Sequence, residues 1–125
     1  QHLSEIKGIS LMPELAGTFS NRWLTAILVD EDKLGVSKDQ ILDYLSDKNI
    51  EARPVWKPLH MQPLFGGMTY YPHSEHENVS EELFRNGICL PSGSNMSLQD
   101  QMKVINCIKG CVGSSLITEV INEAF

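Results

Sequence analysis

The chain has 125 residues, enough for one domain that removes roughly two thirds of its unfolded surface from water. Its formal net charge of -6 and pI near 5.1 oppose attraction to phosphate backbones, and no basic stripe offsets them, which argues against nucleic-acid binding. Hydrophobic residues make up 42% and no apolar run reaches bilayer length, which argues against a membrane role.

The chain starts at Gln1 without an initiator Met. Leu3 and Ile6 have the spacing of the end of a longer helix, so an excised fragment is expected. Residues 1–22 read as a lead-in, irregular from residue 7 to 21, where Gly8, Pro13 and Gly17 recur. Trp23 to Val29 is rich in β-formers with apolar residues on both faces, which predicts a buried central strand in a mixed sheet. Asp30-Glu31-Asp32 after it reads as a solvated turn, because adjacent carboxylates point apart.

Ser37 and Gln40 have capping-box spacing, with Val36 and Ile41 as the hydrophobic staple and Ile41, Leu42 and Leu45 as an apolar stripe. A helix over 38–48 is expected. Asn49 suits a left-handed stop, and Ile50 to Arg53 suits a short strand ended by Pro54.

From Arg53 to Phe65 the prolines Pro54, Pro58 and Pro63 fix φ and push their predecessors toward extended conformations, so this stretch is a stiff loop. Arg53, Trp56, Lys57 and His60 on such a backbone suit recognition of a polar ligand, since little ordering remains to be done on binding. The same loop also reads as a crossover whose Trp56, Leu59 and Phe65 plug the core. Both readings stand at this point.

Gly66-Gly67 marks a turn, and Ser74 with Glu77 suggests a second capping box opening a helix to about Arg85 with Val79, Leu83 and Phe84 inward. His73 and His76 beside Glu75 and Glu77 raise a metal reading, but a helix start favours capping, and no metal site is expected. Gly87 stops the helix. Ile88-Cys89-Leu90 is a short strand, Pro91 to Ser94 a turn, and Ser97 with Asp100 caps a last helix with the stripe Leu98, Met102, Ile105, Ile108 and Val112. Residues 113–125 read as a separate, weakly helical tail. Cys89, Cys107 and Cys111 read as reduced, structural thiols, which fits a cytoplasmic protein. Helices alternating with strands, each with one apolar stripe, must cover a sheet on one face: a two-layer α+β sandwich, 1–125 being a single domain.

Asn49 to Pro63 followed by Ile88-Cys89-Leu90-Pro91-Ser92-Gly93-Ser94 resembles the C-terminal domain of the DegT/DnrJ/EryC1/StrS aminotransferases. Ser20 to Thr25, Arg53-Pro54 and Leu90 to Ser94 resemble the branch that makes 4-amino-4,6-dideoxy sugars for bacterial surface glycans. The resemblance runs from about residue 1 to about residue 112. It implies the small C-terminal domain of a fold-type-I, pyridoxal-phosphate-dependent enzyme that aminates a keto sugar, carried as a nucleotide-linked 4-keto-6-deoxy sugar, with an amino-acid donor. It further implies an N-terminal pyridoxal-phosphate domain with the aldimine lysine, and a homodimer when full length.

Transamination needs a lysine that holds the cofactor as an imine and shuttles the proton. No lysine here stands out for that work, so no catalytic residue and no bound cofactor are expected in this chain, and the fragment alone should be inactive. Recognition remains. Arg53 offers a fork, Trp56 a face for a sugar or base, Lys57 an anion contact and His60 a donor. The resemblance sets the loop over an active-site cleft, with Asn21 and Arg22 as a polar pair at its rim. The alternative, a free-standing α+β interaction module with a proline-rich recognition loop, would lack an upstream cofactor domain.

Overall fold

The structure is a computed structural model describing residues 2–75 and 77–123, those after 113 as helix backbone only. Its elements in chain order are β1 (Ile9–Leu11), β2 (Thr25–Val29), α1 (Glu31–Leu34), α2 (Lys38–Asp47), β3 (Arg53–Pro54), α3 (Val79–Asn86), β4 (Gly87–Leu90) and α4 (Leu98–Glu123). Two single 3-10 turns, Leu59–Met61 and Pro63–Phe65, punctuate the stretch between β3 and α3.

The strands form one sheet in the order β1-β2-β4-β3, and every pairing is antiparallel, so the expected mixed sheet is not found. β1 lies within the stretch expected to be irregular. Its three residues pair with β2 in the register Ile9↔Val29 and Leu11↔Ile27, so alternation sends Ile9 into the core with little sequence signal to announce it.

β2 is central as expected but starts at Thr25. Trp23 lies outside it and is 72% exposed, so its assignment to a buried strand is corrected: the chain turns at Asn21 and Arg22, the latter in the left-handed region at φ 54, and pairing begins only after that turn. The acidic run after β2 forms α1, whose N-terminus is capped by Asp30.

Register divides the sheet into two faces. Ile27 pairs with Ile88 and Thr25 with Leu90, and Ile9, Ile27, Val29, Ile88 and Leu90 share one core with Leu34 of α1, Ile41 and Leu45 of α2, and Val104, Ile108, Cys111 and Val112 of α4. Ile27, Ile41, Leu45, Ile88 and Ile108 are fully buried there. Burying each such side chain contributes about 1.5–3 kcal/mol before the entropy of ordering it is counted. α3 adds no residue to this core, in contrast to the expectation that every helix covers one face.

The local signals hold where side chains close on their own backbone. Ser37 and Gln40 form a complete capping box, Val36 and Ile41 are both buried as a staple requires, and Asn49 has φ 55. Ser97 and Asp100 exchange hydrogen bonds at the start of α4 (Asp100 N to Ser97 Oγ 3.1 Å, Ser97 N to Asp100 Oδ2 3.0 Å).

At α3 the cap is Asn78 rather than Ser74, because Asn78 sits directly before the first helical residue and its side chain accepts from Glu81 N. Val79, expected inward, is 50% exposed. His76 of the weighed histidine pair lies outside the described residues. Among the described side chains of α4 the buried positions are Val104, Ile108, Cys111 and Val112, while Leu98 is exposed. The helix also continues through Gly113 to Glu123, so the expected break at that glycine is absent. Residues 124 and 125 of the tail lie outside the described residues.

Candidate functional site

An open cleft of about 1340 Å³ runs along the sheet end, where three segments far apart in sequence converge. Its walls are the turn before β2 (Asn21 to Leu24), the chain entering and leaving β3 (Asn49 to Lys57), and the turn after β4 (Pro91 to Ser94), with Phe84 of α3 and Asp100 and Lys103 of α4 beside them. The strands explain the convergence. Ile88 faces the core, so Cys89 faces the other way, and its register partner Arg53 stands on that same side.

The turn before β2 is held from within and from across the cleft. Asn21 Oδ1 accepts from Trp23 N at 3.1 Å, and Arg22 N donates to Ser20 Oγ at 3.2 Å. Arg22 Nη2 pairs with Glu14 Oε2 at 2.8 Å, and Glu14 also accepts from Ser20 N. Ser92 Oγ donates to the Trp23 carbonyl at 2.8 Å.

The opposite wall brings Trp56 against Trp23, the ring centroids 6.2 Å apart and the planes 26° from parallel. That spacing lies in the favourable range for offset stacking. Both rings remain largely exposed, which excludes the core-plug reading for Trp56; Leu59 is exposed as well. Arg53 donates to Glu51 Oε1 from Nε at 2.9 Å and Nη2 at 2.5 Å. Both bonds go to a single oxygen, so the five-donor guanidinium keeps N–H groups for an incoming anion.

Charge distribution gives the cleft its character. Its lining carries four basic side chains, Arg22, Arg53, Lys57 and Lys103, against two acidic ones, Glu51 and Asp100, a balance of +2 on a chain whose net charge is -6. Hydrogen bonds from Ser97 hold the Asp100 carboxyl below its ordinary range, so it is ionised at neutral pH. Burial pushes the Cys89 thiol up, which keeps it protonated and makes it a poor nucleophile.

Five of the residues singled out from sequence, Asn21, Arg22, Arg53, Trp56 and Lys57, therefore meet in one cleft. His60 does not line it. Its Nε2 lies 2.9 Å from Glu81 Oε1, and its ring stacks on Tyr70 at 3.5 Å between centroids, against the start of α3. Sequence reasoning missed Trp23 as a cleft residue, and also Glu51 and Lys103. Two large aromatics, each before or after a turn, were the available signal for the first; nothing in sequence marks the other two. Among the described residues no group of three or more His, Cys, Asp or Glu is placed to hold a metal, and no helix is long and apolar enough to cross a membrane.

A family model described as the DegT/DnrJ/EryC1/StrS aminotransferase family matches residues 1–109. The chain is 48% identical over 106 residues to EpsN of Bacillus subtilis (strain 168), to which pyridoxal phosphate-dependent aminotransferase activity is ascribed, covering 85% of this chain and 26% of that protein. It is 31% identical over 111 residues to a GDP-perosamine synthase of Vibrio cholerae, covering 85% and 28%. Among solved structures it resembles a DegT DnrJ EryC1 StrS aminotransferase from Brucella abortus, at TM-score 0.72 and 25% identity, covering 90% and 28%. The chain thus spans 26% to 28% of the length of these relatives.

Proposed function

As the chain belongs to the DegT/DnrJ/EryC1/StrS aminotransferase family, we propose that it forms the C-terminal domain of a cytoplasmic, pyridoxal-phosphate-dependent enzyme that aminates a nucleotide-linked 4-keto-6-deoxy sugar in surface-glycan synthesis. The observation that carries the reading is the cleft, whose surplus of cations and paired indole faces sit on a chain that is otherwise acidic. A nucleotide-linked sugar offers phosphates to the first and a base or sugar ring to the second.

The chain's own residues do not suit the cofactor's imine. Every lysine is exposed except Lys38, which is half-buried and donates to the Phe84 carbonyl at 3.0 Å. None has the desolvated, partner-poor setting that makes a lysine nucleophilic near neutral pH. The cofactor, which accepts the amino group from the donor and passes it to the keto carbon, belongs in this reading to an N-terminal domain of the same polypeptide, within a homodimer. The part left to this chain is to bind and orient. Arg53, with Lys57 and Arg22, holds the phosphates, and Trp56 with Trp23 holds a ring.

Full-length enzyme should convert a nucleotide-linked 4-keto-6-deoxy sugar to its amine with an amino-acid donor, the product being identified by mass. The present chain alone should give no turnover. Amination of small keto acids at normal rates with no amination of any nucleotide-linked keto sugar would contradict the substrate class.

A further inference from the structure

We infer that Glu81 and Tyr70 are positioning residues, which clamp His60 and thereby set where Trp56 stands against Trp23 in the cleft. The inference rests on the proposed role of that cleft.

From Trp56 to Glu77 no described residue is buried, so this long excursion has no core contact of its own to fix it. What ties its first half down is polar. His60 Nε2 meets Glu81 Oε1 at 2.9 Å, 21 positions away, and the His60 side chain is only 17% exposed. Tyr70 closes the other side by stacking on the imidazole, and its hydroxyl is itself held by Asn78 Oδ1 at 2.9 Å and Ser80 Oγ at 3.0 Å. Both of these supports for the imidazole therefore come from the first turn of α3 or are anchored to it.

Glu81 is well chosen as that anchor. It lies in the first turn of α3, where a carboxylate is favoured by the helix dipole, and Asn78 Nδ2 also donates to Oε1. The displacement of His60 reaches Trp56 because the segment between them is short and stiff. Pro58 separates the two, at φ -57 and ψ 148, and the Lys57 carbonyl accepts from Gln62 Nε2 at 3.2 Å. On its N-terminal side Trp56 is tied to the sheet through Val55, whose N–H donates to the Gly87 carbonyl at 3.0 Å; on its C-terminal side the described tie is the clamp on His60, so loosening the clamp frees that side and lets the ring move away from Trp23.

The chain contains only these two tryptophans, so their far-ultraviolet exciton couplet reports the distance between them directly. In the full-length enzyme it is isolated by subtracting the spectrum of Trp23→Phe. Glu81→Ala and His60→Ala should each lower the couplet at least about two-fold and raise KM for the sugar about five-fold, with kcat within about two-fold and Tm close to wild type. Glu81→Gln keeps an oxygen acceptor for the imidazole and should retain the couplet. A reduced couplet with KM unchanged supports the clamp while counting against the cleft as the sugar site. A couplet that persists in both alanine variants, or that falls only in step with the folded fraction, overturns the clamp.

Discussion

Ser92 and Trp23, 69 positions apart, are joined by a hydrogen bond of 2.8 Å from the serine hydroxyl to the tryptophan backbone carbonyl. The bond ties the turn after β4 to the turn before β2, beyond the last register pair, Thr25↔Leu90. It extends the ordered sheet end by one contact, and the indole that forms half of the aromatic wall hangs from it. Ser92→Ala should cost about 0.5–1.5 kcal/mol of stability and weaken sugar binding without changing cofactor content, read by urea unfolding and by KM. Unchanged values for both would show that the turn is held by other contacts.

The capping box of α2 gives a cleaner stability test, because neither Ser37 nor Gln40 lines the cleft. Ser37 Oγ accepts from Gln40 N at 3.2 Å while Gln40 Oε1 accepts from Ser37 N at 2.8 Å. Ser37→Ala removes one half of the box, and the expected loss is about 1 kcal/mol, measured as a shift in the urea midpoint at constant slope.

Two glycines should respond in opposite directions to the same change. At Gly87 a Cβ would lie 2.3 Å from the Leu83 carbonyl oxygen and 2.5 Å from Val55 Cγ2, so the residue is there for space and not for conformation, its φ being -93. Gly87→Ala should destabilise by about 1–3 kcal/mol through overpacking. At Gly113, inside α4, a Cβ meets nothing within 4 Å, and Gly113→Ala should stabilise by about 0.5–1 kcal/mol. Thermal unfolding of the two variants decides both.

Acid sensitivity follows from two surface carboxylates. Asp30 is held below its ordinary 3.8 by its hydrogen bond with Lys33, and Asp100 below the same value by hydrogen bonds from Ser97. A folded-state pKa below the unfolded one gives stability that is present above 3.8 and lost as pH falls through the lowered values. Asp100→Asn should therefore flatten the fall in stability below pH 4, as followed by unfolding midpoints against pH. An identical slope in the variant would remove Asp100 from the account.

Most of what was legible in sequence was local. Ser37, Asn49 and Ser97 announce their elements because a single side chain settles the backbone geometry beside them. β1 was not legible, since Ile9 to Leu11 gains its structure only by pairing with β2, and a three-residue edge strand carries no periodicity of its own. Trp23 was misplaced because β-propensity cannot say where pairing starts. In the site, the proline loop was visible as a stiff, polar segment, but two turns had to be brought together by the sheet before Trp23 and Ser92 became part of it. His60 was drawn away from the cleft by Glu81 and Tyr70, partners far along the chain that spacing cannot reveal.

The central claim is that this cleft recognises the sugar nucleotide, and Arg53 tests it most directly. In full-length enzyme, kcat/KM for the nucleotide-linked keto sugar should be measured for wild type and Arg53→Lys alongside cofactor content and Tm. Lysine keeps the charge and loses the fork, so kcat/KM should fall by about ten-fold or more, with cofactor content and Tm unchanged. An unchanged kcat/KM, or a fall matched by loss of cofactor and of folded protein, would contradict the claim.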